Sequence, residues 1–405
     1  MKYDFDKKVE RNSEIYWLKD MLTQEHIKEQ GMLSYSGAEF EFPTCPAFTQ
    51  GVIEFAQKGL FGFSLPKGRY TEQCCWWMKE VRETKVAPDW LVTTHGTIFS
   101  LATVIRMYTE PGENIMVFTP GYHRYEQAAA RLGRGTVKIP LLEEKGQFSM
   151  NWARLEEQMT RQENKILVLC NPNNPTGNRY TKEELVKIVA MARKNQVLVF
   201  CDEIFADIVF DTSSIPVYAQ VAAEDDLAIS CTSMGKTFSL TGVNHANVWI
   251  KNPILRERFV KQRDADHYGS LDPMVCAGLI SAYTEEGKAW IQEMKQYMWQ
   301  NYVLVDSFMK MYIPQAIVTK PQGTFVVWID YSRLGLSKKE LYQILVQDGC
   351  FAGDEGEEYY GKDTCFRYSL AVPRQELEKS LQKLKECIEV RDIRINTKCS
   401  RREIL

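Results

Sequence analysis

No apolar run in this chain is long enough to cross a bilayer as a helix, which excludes a helical membrane protein. The first residues, Met1-Lys2-Tyr3-Asp4-Phe5-Asp6, are charged and no apolar stretch follows them, so no signal peptide is expected. Positive charge is not in excess. The formal net charge is −3 and no polybasic cluster occurs, so neither nucleic acid nor an anionic membrane surface is an expected partner. The mildly basic stretch from Arg391 to Arg402 reads as a solvated terminus. The 11 cysteines are odd in number and include no CxxC pair, which argues against a disulfide framework. Cys74 and Cys75 are adjacent, which suits neither a metal site nor an ordinary disulfide, and no metal site is expected. Cys170, Cys201 and Cys231 end apolar runs and read as small buried residues in a reducing, cytoplasmic protein. Internal repeats and low-complexity linkers are absent as well.

The chain does have the composition of a soluble globular enzyme, with 44% hydrophobic and 25% charged residues. Its 405 residues exceed the usual size of one hydrophobic core and predict more than one domain. Six short apolar runs read as buried strands: Trp90–Thr94, Ile115–Phe118, Ile166–Cys170, Val197–Cys201, Leu227–Cys231 and Ala246–Ile250. Helical patterns lie between them. The clearest starts at Thr181, where Glu184 completes a capping box and Leu185, Ile188, Val189 and Ala192 form one apolar face. Alternation of this kind predicts an α/β fold with a mostly parallel sheet covered by helices on both sides. Such sheets bind ligands beyond the carboxyl ends of their strands. Beyond about residue 285 the pattern changes to a long helix carrying Trp290, Met294, Tyr297 and Met298. Strands at Thr324–Ile329 and Cys365–Leu370 follow, then a helix with Leu377, Leu381, Leu384 and Ile388 on one face. The expected division is an N-terminal segment, 1–45, packing with the small domain; a large domain, 46–285; a small α+β domain, 286–392; and a tail, 393–405.

Polar residues cluster just after the strands. Ile166–Cys170 runs into Asn171-Pro172-Asn173-Asn174-Pro175-Thr176-Gly177, a rigid turn. Val197–Cys201 delivers Asp202-Glu203, and Leu227–Cys231 leads into Thr232-Ser233-Met234-Gly235-Lys236-Thr237. The last segment is not a phosphate-binding P-loop, because the glycine required five residues before Gly235 is Ser230. Taken singly, these residues read equally as a turn, a helix cap and a surface lysine. As a set they place an amide, a carboxylate and a candidate Schiff-base lysine at three successive strand ends. Gly96-Thr97 follow the first strand and open a helix with Ile98, Leu101, Ala102 and Ile105, a natural anion site.

Asn-Pro-Thr-Gly at 174–177, Asp202-Glu203 and Ser233-x-x-Lys236 stand in the order and spacing of the aminotransferase class I/II superfamily. The chain resembles these fold-type I enzymes of pyridoxal 5′-phosphate (PLP) over roughly residues 3 to 390. The resemblance implies that Lys236 holds PLP and moves the substrate's α-proton. It implies that Asp202 pairs with the pyridine nitrogen, that Asn174 donates to the ring's phenolic oxygen and that Tyr122 stacks on the ring. Gly96, Thr97 and Ser233 would bind the phosphate, while Ala38, Asn174 and Arg367 would bind the substrate. Arg367 lies in an otherwise apolar strand and calls for an anion, either the substrate's α-carboxylate or a structural partner.

Within the superfamily, Tyr3-Asp4-Phe5-Asp6 and Ala38-Glu39-Phe40-Glu41-Phe42-Pro43 resemble the opening of the MalY/PatB-type, cystathionine β-lyase-like branch. Trp77-Met78, Pro88-Asp89-Trp90 and Lys236-Thr237-Phe238 with Gly242 are similar to that branch too. So is Asn244, where many aminotransferases carry an arginine. Two positions depart from it: Phe63 and Phe205 stand where a hydroxyl or an imidazole is usual. The bulky Trp76-Trp77 pair and His95 are further candidates for shaping the site. The implied activity is β-elimination from cystathionine or a related L-cysteine S-conjugate, giving a thiol, pyruvate and ammonia. Transamination is the alternative, and a PLP-binding regulatory protein with little activity is a third reading. A homodimer is implied, with the region around residues 61–64 crossing to the partner.

Overall fold

The computed structural model describes residues 2–9, 27, 30–210 and 217–399, the last nine of these by backbone alone. The stretch that ends in Arg402 and most of the N-terminal segment lie outside the described side chains. Residues 30–45 are turns and extended chain. The chain divides into two units. One comprises 44–295 and 321–324; the other comprises 1–43, 296–320 and 325–405.

The larger unit is built on β1 (Leu91–Thr94), β2 (Asn114–Thr119), β3 (Gly135–Pro140), a hairpin of β4 (Leu142–Glu144) and β5 (Gln147–Ser149), β6 (Asn164–Cys170), β7 (Leu198–Asp202), β8 (Ala228–Thr232) and β9 (Ala246–Trp249). Seven of these form one sheet in the order β1-β9-β8-β7-β6-β2-β3. All its pairs are parallel except those of β9, which runs antiparallel to β1 and β8. The expected mostly parallel sheet is therefore present, and the six apolar runs are six of its strands.

Those runs are continuous because both faces are covered. Successive residues point to opposite sides. Ile115, Val117, Ile166, Val168 and Phe200 pack with Leu101, Val104 and Ile105 of the helix Thr97–Tyr108. Met116, Leu167, Leu169 and Val199 pack with Leu185, Ile188, Val189 and Ala192 of the helix Lys182–Asn195. The latter helix starts where the capping box sets it: Thr181 Oγ1 accepts from Glu184 N at 3.2 Å, and Glu184 Oε2 accepts from Thr181 N at 2.8 Å. The thiol of Cys170 is buried at the end of β6 and pushed up to about 12 by that burial, so it stays neutral.

The smaller unit holds a four-stranded sheet in the order β10 (Ile317–Val318), β11 (Val326–Asp330), β13 (Cys365–Ser369), β12 (Asp354–Glu355), with every pair antiparallel. Its core joins Val327, Ile329, Phe366 and Tyr368 to Leu377, Leu381 and Leu384 of the C-terminal helix Arg374–Cys399. Tyr35 is fully buried there, and its hydroxyl donates to Ser380 Oγ at 2.8 Å. Among the described residues, no helix is long and apolar enough to cross a membrane.

Candidate active site

Five strand ends of the larger unit lie along one edge of its sheet. Cys170 of β6 is opposite Asp202 of β7, and Asp202 is opposite Cys231 of β8. Thr232 pairs with Asn247, and Thr94 pairs with Ala246 at the start of β9. Gly96, Asn174, Asp202, Ser233 and Lys236 all follow from these ends, so the sheet gathers residues that are up to 140 positions apart in sequence.

Asp202 is the electrostatic centre of this edge. It is buried, Tyr125 donates to its Oδ2 at 2.6 Å, and the backbone N–H of Ile204 donates to its Oδ1 at 3.2 Å. Burial pushes its carboxyl up to about 6, against the lowering effect of the Tyr125 hydroxyl, the Ile204 amide and the positive charge of Lys236. A carboxylate held this way lacks a full cationic counterpart and suits a ligand that brings a protonated nitrogen. Lys236 is half-buried, and its Nζ donates to Thr241 Oγ1 at 3.2 Å.

The turn after β6 is held by its own amides. Asn173 Nδ2 donates to Pro120 O at 3.2 Å and to Thr176 Oγ1 at 2.6 Å, and Asn171 Oδ1 accepts from Tyr180 N at 3.0 Å. Asn174 is buried within it. Tyr122 and Tyr125 meet edge to face at 5.4 Å at the start of the helix Arg124–Arg131. Gly96 caps the helix Thr97–Tyr108 at φ +137°, and a Cβ added there would meet nothing within 4 Å. This open, glycine-backed helix start suits an anionic group.

Behind the edge lies a buried ionic cluster. Glu203 accepts from Tyr218 N at 2.8 Å and pairs with Arg82 at 3.4 Å. Asp207 accepts from Trp77 Nε1 at 3.0 Å and from Thr237 Oγ1 at 2.7 Å. Trp77 in turn stacks on Tyr283 at 4.5 Å. Of the adjacent acids, Asp202 thus faces the strand-end cluster and Glu203 serves the scaffold. Trp77 belongs to the scaffold as well, while Trp76 is half-buried. His95 is exposed and packs against Tyr268 at 4.6 Å. Phe205 is buried, Asn244 is exposed, and the side chain of Phe63 stands fully in solvent.

In the smaller unit Arg367 is buried on β13. Its Nε donates to Asp354 Oδ2 at 2.8 Å, Nη2 bonds the same oxygen, and its guanidinium lies 4.5 Å from the centre of the Tyr359 ring. Asp354 supplies the anion that this arginine's setting calls for, and it orients the guanidinium. Both Asp354 oxygens also accept from Gly37 N at 3.0 Å, so the residue before Ala38 is tied to the partner of Arg367.

Sequence reading missed Tyr125, the donor to Asp202. Its signal was a second tyrosine three residues after Tyr122, one helical turn on. It also missed the Arg82–Glu203 pair and His245, which had no local signal.

A family model described as aminotransferase class I and II matches residues 38–384. Cystathionine beta-lyase PatB of Bacillus subtilis (strain 168) is 25% identical, over 95% of this chain and 100% of its own length. Protein MalY of Escherichia coli (strain K12) is 24% identical, over 94% and 97%. Among solved structures, cystalysin from Treponema denticola, which contains a pyridoxal 5′-phosphate cofactor, superposes with a TM-score of 0.89. It is 26% identical, with 96% of this chain and 99% of that one covered.

Proposed function

The chain belongs to the aminotransferase class I and II family, and from that premise we propose that it is a PLP-dependent carbon–sulfur β-lyase. The observation that carries the cofactor assignment is the buried Asp202 carboxylate, held by Tyr125 at 2.6 Å and flanked by Lys236 from the next strand end. The likeness to PatB and MalY supports the reaction class.

The residues fit the group. Lys236 would hold PLP through its ε-amine, Asp202 would face the pyridine nitrogen, and Asn174 and Tyr122 would flank the ring. The open backbone at Gly96 and Thr97, with the Ser233 turn, would take the phosphate. Ala38 and Arg367 would bind the substrate, Arg367 meeting the α-carboxylate while Asp354 holds its Nε side. The unit around the seven-stranded sheet is read as the PLP-binding domain, and the other as the small domain. PLP, when bound, supplies a positively charged ring that draws in the electron pair left at the α-carbon. Asp202 would keep the proton on the ring nitrogen, and Tyr125 holds Asp202 in place. Lys236 Nζ would take the α-proton, which would let the thiolate leave from the β-carbon. Overall, an L-cysteine S-conjugate and water give a thiol, pyruvate and ammonium.

Purified protein loaded with PLP and given cystathionine, with no keto acid present, is expected to form pyruvate. Transfer that depends on an added keto acid, with no pyruvate formed alone, would overturn the lyase reading in favour of transamination. No turnover on any amino acid would leave a PLP-binding regulator.

The larger unit exposes Leu60, Phe61, Phe63 and Leu65, with Phe63 wholly in water. So much apolar surface in one short segment marks an interface, and we assign it to a second copy of this chain. Sedimentation velocity is expected to give a species of two chains, and Phe63→Asp with Leu65→Asp is expected to shift it toward one. A monomer in the unsubstituted protein would sink the assignment. The buried thiols of Cys74, Cys170, Cys201 and Cys231, none of them in a disulfide, support a reducing, cytoplasmic setting, which cell fractionation tests.

A further inference from the structure

His245 stands immediately before β9. Because β9 runs antiparallel to β8 with Asn247 opposite Thr232, this residue meets the turn that leaves β8. Its ring is buried, and Nε2 lies 3.2 Å from the backbone nitrogen of Met234. That N–H can only donate, so Nε2 accepts, and a neutral imidazole then carries its proton on Nδ1. Nδ1 lies 3.3 Å from Ser233 Oγ and turns its proton toward that hydroxyl, while the Val243 carbonyl also accepts from the ring. Ser233 Oγ also accepts from Gly235 N at 3.0 Å and lies 3.1 Å from His245 O, an oxygen that can only accept. The hydroxyl's hydrogen and one lone pair are thus engaged inside the turn, and the ring faces the other. Burial holds the ring neutral, pushing its pKa down to about 4. Lys236 sits in the four-residue helix Met234–Thr237 that this turn begins.

We propose that His245 is a positioning residue: it grips Met234 and Ser233 together, fixes the turn that aims Lys236, and directs the Ser233 hydroxyl inward rather than toward a phosphate. The consequence for Lys236 and the phosphate rests on the PLP reading above; the ring's tautomer does not. Ser233 then supports cofactor binding through the shape of the turn, and the hydrogen bonds to the phosphate come from the Gly96–Thr97 end.

Two measurements test this. In cofactor-free, nitrogen-15-labelled protein, the His245 ring is expected to show a protonated Nδ1 and a bare Nε2 that do not change from about pH 8 to about pH 5. A ring protonated on Nε2, or one that titrates within that range, overturns the proposal. The second is a cycle of PLP dissociation constants. Ser233→Ala is expected to weaken binding about tenfold when His245 is present, and by less than about threefold in a His245→Phe background. The same loss in both backgrounds means that Ser233 acts directly, and it overturns the proposal. If His245→Phe does not fold, His245→Gln runs the same cycle, since its amide reaches Met234 but leaves Ser233. Failure of the unsubstituted protein to bind PLP would overturn the cofactor reading instead, and the nitrogen spectrum, which needs no cofactor, keeps the two failures apart.

Discussion

Lys236→Ala is expected to lower pyruvate formation by a factor of about 10²–10⁴, the usual contribution of a positioned proton-transfer group. Its titratable neighbours Asp202 and Tyr125 do not replace it. Asp202 is an acid engaged by Tyr125 and Ile204, and the Tyr125 hydroxyl is held well above its ordinary range by burial. The amine of Lys236 is placed by the short helix Met234–Thr237 and by its bond to Thr241 Oγ1 at 3.2 Å, so a longer or shorter side chain misplaces it. Borohydride reduction followed by mass spectrometry is expected to find PLP fixed at Lys236 in the unsubstituted protein and nowhere in the variant. The variant still keeps Asp202 and Gly96, so it is expected to bind PLP without a covalent link. A variant that turns over at the original rate would show that another base moves the α-proton.

Asp202→Asn is expected to act in opposite directions on stability and on activity. Burial pushes the folded-state pKa of this carboxyl up to about 6, above its value in an unfolded chain. The folded state therefore holds the proton more tightly. The group's stabilising contribution is complete below about pH 4 and is lost as the pH rises through about 6. Above that window the cofactor-free protein carries a buried carboxylate that Tyr125, Ile204 and Lys236 only partly compensate, at a cost of about 3 kcal/mol. Asparagine has no charge to desolvate, and its carbonyl still accepts from Tyr125. In urea titrations without cofactor, Asp202→Asn is expected to be the more stable protein at about pH 8, with the difference vanishing near pH 4. With PLP bound, the same substitution removes the anion that holds the ring nitrogen's proton, and turnover is expected to fall by about 10²–10³. A cofactor-free variant less stable than the original protein at the higher pH would show that Asp202 holds the scaffold together rather than awaiting a cation.

Much of this organisation is written in short stretches of chain. A parallel strand covered on both faces is an unbroken apolar run, so β2, β6, β7 and β8 are legible from composition alone. Thr181 and Glu184 lie three residues apart and close their capping box within one helical turn. Asn174, Asp202 and Lys236 are legible for a related reason: each ends a strand or lies four residues beyond one, and a parallel sheet puts all such ends on one edge. Arg367 was legible as an arginine in need of an anion, but not as the partner of Asp354. That pairing depends on β12 lying beside β13 with Asp354 opposite Arg367, across a stretch of chain whose course no local pattern sets.

The amino-acid sequence by itself therefore determined the strands, the caps and the order of polar residues along the strand-end edge, because each depends on neighbours a few positions apart. The tertiary structure alone decided which residues hold those groups. Tyr125 reaches Asp202 across 77 positions, Arg82 meets Glu203 across 121, and His245 meets Ser233 only because β9 turns back along β8. Such contacts are set by strand pairing and by the removal of water from the space between elements, and neither leaves a periodic trace in the chain.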